Sequence, residues 1–194
     1  MKNKKIHFID CGANVGQSIY WALTNYGNKL CRIDSFEPQT ENFDYLRERY
    51  GTHELVNLHK NAVWKANEKK ELFLQERGTR TGSSLVKGKS STNEHATETV
   101  QCIDLSEWIY NNISPENYNI LKIDIEGGEH DLLPYLFENK IHEVVDEWFI
   151  ELHSEEKTPN YKPSTVGDIK KYTKKWTDWM ILGADSLDAG IEAP

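Results

Sequence analysis

The sequence has few cysteines, no long apolar run and no excess of positive charge, and each absence excludes a class of protein. Its three cysteines in 194 residues are scattered and odd in number, so they form neither a disulfide framework nor a zinc-binding pattern. A reducing cytoplasm is therefore the expected setting. No apolar run approaches the length of a membrane span, and the first residues lack the apolar stretch of a signal peptide, so we expect no membrane association. The formal net charge of -8 disfavours broad binding to a nucleic acid backbone.

The sequence does contain a regular alternation of apolar runs with amphipathic stretches. The predicted strands are Ile6–Ile9, Leu30–Phe36, Leu55–Trp64, Glu71–Gln75, Val100–Leu105, Asn119–Ile125, Val144–Leu152 and Trp179–Leu182. The predicted helices are Val15–Tyr26, Asn42–Tyr50, Ser106–Ile113, Glu129–Phe137 and Ser164 to about Lys175, with Ser106 and Ser164 as N-caps and Pro134 ending or bending its helix. This alternation is typical of an α/β domain with a mostly parallel sheet. Residues 1–194 are most simply one domain.

One segment, Arg77–Thr99, departs from this alternation. It is rich in Gly, Ser, Thr and Lys and has no convincing periodicity. It is interpreted either as a flexible surface insertion or as a flap that faces the substrate. Within it, Thr81–Leu85 is the stretch that we expect to be ordered.

The end of the first strand carries a glycine turn with an unusual carboxylate. Ile6–Ser18 reads I-H-F-I-D-C-G-A-N-V-G-Q-S, which predicts a buried strand, a tight turn and a helix N-terminus. Its spacing, D-x-G-x-x-x-G, is not the G-x-G-x-x-G of a dinucleotide site. A carboxylate here disfavours a pyrophosphate and favours a cationic ligand such as S-adenosylmethionine. The candidate cofactor contacts in this turn are Asp10, Gly12, Ala13, Asn14, Gly16 and Ser18.

The next two strand ends offer contacts for an adenosine. Glu37 stands 21 residues beyond Gly16, at the end of the second strand and before Pro38, where a carboxylate can accept both ribose hydroxyls. Ala62 and Val63 could form a flat wall for the adenine ring, although the same residue types are ordinary in a strand core. We therefore count these four residues among the candidate cofactor contacts.

A fourth strand end is acidic. Strand alternation places Lys122, Asp124 and Glu126 on one face of the run L-K-I-D-I-E-G-G-E. These carboxylates could orient the methionine end of the cofactor, bind substrate hydroxyls or take a proton, while a buried ion-pair cluster is the structural alternative. We expect no metal, because no clear octahedral set of oxygens is present. Beyond the next strand, His153 shares a face with Glu151 and is a candidate general base.

Taken together, these motifs resemble the FkbM-type family of class I S-adenosylmethionine-dependent methyltransferases. The resemblance extends from Ile6 to His153 and includes F-E-P at Phe36–Pro38, N-A-V at Asn61–Val63, G-S-S-L at Gly82–Leu85 and E-L-H at Glu151–His153. It implies a Rossmann-like, mostly parallel seven-stranded sheet flanked by helices. It also implies O-methylation of hydroxyls on sugars, polyketides or related metabolites. By position, it assigns Asp10, Gly12, Asn14, Gly16 and Glu37 to the cofactor, and places Asp124 and Glu126 at the border of the methyl-transfer site.

The resulting hypothesis is an O-methyltransferase with S-adenosylmethionine as cofactor and a small-molecule acceptor, such as a sugar or metabolite hydroxyl. Asp124 or His153 would be the base, Asp124 would also contact the cofactor, and Glu126 would hold the acceptor. Three alternatives remain open. They are an NAD-dependent oxidoreductase of Rossmann type, a non-catalytic module that keeps the pocket, and a methyltransferase that acts on protein or RNA.

Overall fold

The computed structural model describes residues 4–75 and 82–182, which form two β-sheets and the helices around them. The strands are β1 (Ile6–Cys11), β2 (Leu30–Phe36), β3 (Val56–His59), β4 (Ala62–Trp64), β5 (Lys69–Gln75), β6 (Thr92–Asp104), β7 (Tyr118–Ile123), β8 (Glu147–Ile150) and β9 (Trp176–Asp178). The α-helices are α1 (Gln17–Tyr26), α2 (Thr40–Tyr50), α3 (Leu105–Asn112), α4 (Glu129–Glu138) and α5 (Ser164–Tyr172). Short 3-10 turns occupy Gly27–Lys29, Ile141–Glu143 and Trp179–Leu182.

The main sheet has six strands in the order β3-β2-β1-β7-β8-β9, and every neighbouring pair is parallel. The strand order reverses direction at β1, which lies between β2 and β7. In the register of these three strands, Asp10 stands opposite Ser35 on one side and Lys122 on the other. The carboxyl ends of β1, β2 and β7 therefore meet at one edge, where parallel α/β sheets bind their ligands.

The core lies on both faces of this sheet, which explains why β1 is mostly apolar and is buried along its whole length. Ile9 and Cys11 pack on one face with side chains of α3, α4 and α5, whereas Ile6 and Phe8 pack on the other face with α1 and α2. Successive strand residues point to opposite faces, so a strand covered on both sides must be apolar at nearly every position.

A second sheet of three strands, in the order β4-β6-β5, stands beside the main one. The β4–β6 pair is parallel and the β5–β6 pair is antiparallel. Glu98 of β6 accepts hydrogen bonds from the backbone N–H and the hydroxyl of Thr40, the first residue of α2. The small sheet is thereby attached to the helix that follows β2.

The structure confirms the α/β class and the parallel sheet, and corrects several predicted elements. Within the described residues the main sheet has six strands, not seven. The predicted strand Leu55–Trp64 is divided, because β3 belongs to the main sheet and β4 to the small one. Trp179–Leu182 forms a 3-10 turn, and the last strand is β9.

The segment Arg77–Thr99 is in part a strand. Thr92–Thr99 belongs to β6, where pairing with β5 compensates for its polar sequence. Residues 76–81 lie outside the described residues, so the start of the predicted flap and Thr81 do as well. Residues 82–91 are described and lie next to the cleft.

Two predicted helix N-caps are wrong, and one helix continues past its proline. The N-cap of α3 is Asp104, whose carboxylate accepts the backbone N–H of Glu107, and Ser106 is already inside the helix. Ser164 is likewise the first helical residue of α5 and not its cap. Pro134 lies inside α4 and does not end it, because Leu132, Leu133 and Leu136 are buried in the core and the helix continues to Glu138. A bend at Pro134 stays a prediction. No helix among residues 4–75 and 82–182 is long and apolar enough to cross a membrane.

Candidate active site

A cleft of roughly 660 Å³, including the part open to solvent, lies at the carboxyl ends of the parallel strands. This size is within the usual range for a small-molecule site. Its lining consists of Gly12, Asn14, Phe36, Glu37, Pro38, Gln39, Asn42, Asn61, Ala62, Val63, Trp64, Leu72, Gly82, Ser83, Leu85, Asp124, Ile125, Glu126 and Gly128. Eight of the predicted site residues are in this set, namely Gly12, Asn14, Glu37, Pro38, Ala62, Val63, Asp124 and Glu126.

Gly12 allows the ends of three strands to touch. Its φ is +85°, and a Cβ atom at this position would lie 1.8 Å from the carbonyl oxygen of Asp124. Its backbone N–H donates to the carbonyl of Phe36 at 3.1 Å. Only glycine fits a left-handed position with a backbone atom this close. The turn after β1 is consequently packed directly against the ends of β2 and β7.

Glu37 connects the first two turns. Its two carboxylate oxygens accept the backbone N–H groups of Asn14 and Gln39, each at 2.9 Å. The side chain is only 6% exposed, and burial raises its pKa to about 8, outweighing the two N–H donors, which lower it. Each carboxylate oxygen can accept a further hydrogen bond, so Glu37 retains the capacity to bind ribose hydroxyls.

Four other predicted cofactor residues are not among the residues that line the cleft, and their contact with a cofactor stays a prediction. Asp10 is fully buried, and its carboxylate accepts the hydroxyls of Ser18 at 2.6 Å and Ser35 at 3.1 Å. Ala13 is buried in the core, and a Cβ at Gly16 would lie 2.5 Å from the ring of Tyr50. These residues hold the turn in place beneath the cleft.

The apolar wall contains residues that the sequence analysis missed. Phe36 and Trp64 line the cleft beside the predicted Val63, and Leu72 and Leu85 add aliphatic surface. Phe36 stands directly before Glu37, so its position at a strand end was a usable signal. Leu72 comes from β5 of the second sheet, for which the sequence gives no comparable signal, whereas Leu85 belongs to the G-S-S-L stretch of the family resemblance.

The acidic turn after β7 is paired with a buried lysine. The Lys122 ammonium lies 3.4 Å from both Asp10 Oδ1 and Asp124 Oδ2, and it donates to the Gly12 carbonyl at 2.6 Å. Burial would lower the pKa of Lys122, but the two carboxylates outweigh it and raise that pKa. Burial raises the pKa of Asp124 to about 6, with Lys122 opposing the shift and Glu126 and Glu129 adding to it. Asp124 can therefore exchange a proton near neutral pH.

Glu126 and His153 form a second charged pair beside Asp124. His153 Nε2 lies 3.0 Å from Glu126 Oε2, and the Lys89 ammonium lies 2.5 Å from the same oxygen. Burial would raise the pKa of Glu126, but His153 and Lys89 outweigh it and lower that pKa to about 2. Burial would lower the pKa of His153, but its contacts with Glu126 and Glu129 raise it to about 10. Since a protonated imidazole cannot accept a proton, this arrangement favours Asp124 over His153 as the base.

Glu129 fixes the backbone of the acidic turn. Its carboxylate accepts the N–H groups of Ile125 at 2.8 Å and Gly127 at 2.9 Å, and Oε1 lies 3.4 Å from His153 Nδ1. Glu126 itself has a left-handed backbone, with φ of +57°. Hence the direction of its side chain is set by the turn and by the groups that bind it.

Asp124, Glu126 and His153 also have the spacing of a cation site, because one donor atom from each lies within 4.8 Å of the others. However, Lys122 pairs with Asp124, and Lys89 pairs with Glu126. With His153 protonated, the cluster already contains its counter-charges. That the site works without a metal stays a prediction.

The fold and the cleft together define a Rossmann-like α/β domain with a ligand site at the carboxyl ends of its strands. Residues 10–183 match the family model described as the methyltransferase FkbM domain, and the chain therefore belongs to the FkbM methyltransferase family. This membership confirms the resemblance noted in the sequence.

One solved structure shows the same fold. The crystal structure of the methyltransferase FkbM from Methylobacillus flagellatus KT is similar to this chain with a TM-score of 0.52 and 16% sequence identity. The similarity covers 88% of this chain and 36% of the other, so the chain spans about a third of the length of that protein. A search of curated proteins finds no match.

Proposed function

We propose that this chain is an S-adenosylmethionine-dependent methyltransferase that methylates a hydroxyl of a sugar or another small metabolite. The observation that carries the proposal is the placement of two carboxyl groups in one cleft. Glu37 lies at the end of β2 and Asp124 follows β7, on either side of the Gly12 turn. Glu37 is placed to bind the hydroxyls of an adenosine ribose, and Asp124 is placed near the end of the cofactor that would carry the methyl group. Membership of the FkbM family supports methyl transfer as the reaction.

The lining residues suggest how the cofactor would lie. Glu37 would accept the ribose hydroxyls, and the adenine would contact the apolar wall of Phe36, Val63 and Trp64. Among the described residues that line the cleft, the titratable side chains are the carboxyl groups of Glu37, Asp124 and Glu126. The carboxylate oxygens of Asp124 and Glu126 can accept hydrogen bonds from the ammonium group of S-adenosylmethionine, whereas none of the described lining residues has a cationic side chain for a pyrophosphate.

In the proposed reaction the acceptor oxygen attacks the methyl carbon, and the bond from this carbon to sulfur breaks. S-adenosylhomocysteine leaves, and the hydroxyl proton goes to Asp124. Alignment of the two reactants accounts for several kcal/mol of the barrier, and a positioned base adds roughly 10²–10⁴-fold. Asp124 suits this role because it faces the cleft with a pKa of about 6.

Glu126 would hold the acceptor hydroxyl beside Asp124. The ion pairs with Lys89 and His153 both involve Oε2, so Oε1 is the oxygen proposed to accept the hydroxyl. Because its pKa is about 2, Glu126 stays ionised throughout the physiological range and serves as an acceptor of hydrogen bonds. A carboxylate that cannot take up a proton at neutral pH suits orientation rather than proton transfer.

Calorimetric titration tests the cofactor directly. The wild type should bind S-adenosylhomocysteine and not NADH. Replacing Glu37 by Ala should weaken binding by about 1.5–3 kcal/mol, as expected for a hydrogen bond to a charged group. The control is Glu48→Ala, an exposed glutamate of α2, which should leave the affinity unchanged. Binding of NADH without S-adenosylhomocysteine would instead establish the oxidoreductase alternative.

A methyltransferase of protein or RNA remains the second alternative for the acceptor. Incubating the enzyme with methyl-labelled S-adenosylmethionine and separate pools of small glycans, metabolites, protein and RNA distinguishes these classes. Label transfer to the glycan or metabolite pool is the expected result. Transfer to protein or RNA alone would overturn the acceptor class while leaving the cofactor proposal intact.

A further inference from the structure

Lys89 is an unusual residue for the polar segment in which it lies. Only 4% of it is exposed, whereas the side chain of Lys87, two positions earlier, is 70% exposed and pairs only loosely with Glu94 at 3.6 Å. A buried ammonium is costly unless its hydrogen-bonding capacity is satisfied. The contacts of Lys89 should therefore reveal why it is buried.

All of these contacts are directed at the candidate active site or at the segment itself. The ammonium of Lys89 lies 2.5 Å from Glu126 Oε2 and donates to Ser91 Oγ at 2.6 Å and to the Gly82 carbonyl at 3.3 Å. These three partners match the three donors of an ammonium group. Lys89 thus ties both ends of residues 82–91, which we term the strap, to a carboxylate that lines the cleft.

The strap holds Glu126 at a second point. The hydroxyl of Ser84 donates to the backbone carbonyl of Glu126 at 2.6 Å, and Ser84 itself forms a bridge with Phe73 of β5. On the opposite side, His153 contacts the Glu126 carboxylate at 3.0 Å. The left-handed backbone of Glu126 is therefore attached to the strap through its carbonyl and through its side chain.

The same strap forms part of the cleft lining. Gly82, Ser83 and Leu85 belong to its lining, and the Ser83 hydroxyl donates to Gln39 Oε1 at 2.9 Å, next to Glu37. One short segment consequently contacts the region proposed for the ribose and the region proposed for methyl transfer. If the strap moved, both regions would change together.

We propose that Lys89 is a positioning residue that aims the Glu126 carboxylate at the acceptor and holds the strap closed over the bound cofactor. This inference rests on the proposed function, and it adds to the site a segment that the sequence analysis did not assign to it. Lys89 does not touch the reacting atoms. It acts through Glu126, whose position its charge and its hydrogen bonds determine.

Three variants test the proposal, with S-adenosylhomocysteine as the probe. Lys89→Met removes the charge and keeps the length, Lys89→Arg keeps the charge, and Lys87→Met is the matched exposed control. In the presence of the probe, backbone amides of the strap should exchange hydrogen at least about tenfold faster in Lys89→Met than in the wild type. Lys89→Arg should exchange more slowly than Lys89→Met, because it keeps the positive charge. Lys87→Met should exchange at the rate of the wild type.

A second measurement separates positioning from simple stabilisation. The carboxyl of Glu126, followed by carbon NMR, should titrate at higher pH in Lys89→Met, because one of the two cations that lower its pKa is lost. Lys87→Met should leave this titration unchanged. A merely structural Lys89 would alter the melting temperature without moving the Glu126 titration.

The outcomes distinguish this inference from the function on which it rests. If the wild type does not bind S-adenosylhomocysteine, the proposed function is wrong. If the wild type binds and Lys89→Met keeps both the protection of the strap and the Glu126 titration, the role of Lys89 is wrong. Should Lys89→Met fail to fold, Ser84→Ala removes the other attachment to Glu126 and should expose the strap in the same way. Unchanged exchange in that variant would overturn the proposal.

Discussion

Glu37 and Asp124 are carboxyl groups of one cleft, yet their surroundings give them different roles. Burial raises the pKa of both, to about 8 for Glu37 and to about 6 for Asp124. The difference arises because Lys122 stands beside Asp124, whereas backbone N–H groups are the close donors to Glu37. A group that titrates near pH 6 suits proton transfer, and one that binds hydroxyls needs to be ionised only when the ligand is present.

The raised pKa of Glu37 predicts a pH-dependent affinity for S-adenosylhomocysteine. Ribose hydroxyls donate most strongly to an ionised carboxylate, but the free protein holds a proton on Glu37 below pH 8. The affinity should therefore increase from pH 6 to pH 9, by at most about tenfold per unit below the pKa. Calorimetry across this range checks the slope. In Glu37→Gln, whose side chain cannot ionise, the affinity should not change with pH. An affinity that rises with pH as steeply as in the wild type would contradict the assignment of Glu37 to the ribose.

The raised pKa of Asp124 predicts how the rate of methyl transfer depends on pH. Because a base must be ionised to accept a proton, kcat/KM for an identified acceptor, measured with saturating S-adenosylmethionine, should rise with pH and level off above about 6. Asp124→Asn should reduce kcat by roughly 10²–10⁴-fold and abolish the rise of kcat/KM with pH. His153→Ala should keep the rise of kcat/KM with pH, since His153 is already protonated around pH 6. If both variants keep wild-type turnover, neither residue is the base.

At the scale of secondary-structure elements, the site depends on how closely the turn after β1 approaches the end of β7. We predict that Gly12→Ala lowers the free energy of unfolding by about 3 kcal/mol or more, through strain at positive φ and the clash with Asp124. Gly167→Ala is a matched control, because a Cβ within α5 meets no atom within 4 Å. That change should stabilise the protein by about 0.5–1 kcal/mol. Urea unfolding of both variants measures the contrast, and equal stabilities would refute this account.

The elements themselves were predictable where local pattern decides them. The bounds of β2 match the prediction, and those of β5, β7, α1 and α4 differ from it by at most two residues, because buried strands and amphipathic helices leave a clear periodicity. The division of Leu55–Trp64 into β3 and β4 was not predictable, since both halves are apolar and only tertiary pairing assigns them to different sheets. Thr92–Thr99 is polar, and its strand conformation depends on β5, which lies far away in the sequence.

For the molecule as a whole, a network of charges connects segments that are distant in the sequence. Lys122 joins β1 to β7 through Asp10 and Asp124, and Lys89 and His153 meet at Glu126. The acidic members were predictable, because the carboxyl ends of parallel strands converge at one edge of the sheet. The burial of Lys89 was not, since nothing in a Gly-, Ser- and Lys-rich stretch distinguishes it from the exposed Lys87.

This network also predicts how stability changes at alkaline pH. The folded protein raises the pKa of His153 from 6.5 to about 10, so the protonated imidazole stabilises the fold fully below pH 6.5. Above that value the unfolded chain no longer binds the proton, and the contribution declines until pH passes 10. We expect this loss to be on the order of 1–4 kcal/mol between pH 7 and pH 10.

The measurement is urea unfolding of the wild type and His153→Gln at both pH values. Other groups titrate in this range, so the informative quantity is the difference in unfolding free energy between wild type and variant, which should shrink as pH rises. His95→Gln, an exposed histidine of β6, should show a difference near zero at both values. A wild-type advantage over His153→Gln that is as large at pH 10 as at pH 7 would show that the imidazole contributes by packing alone. In that case, the ion pairs with Glu126 and Glu129 would not be what holds this part of the site together.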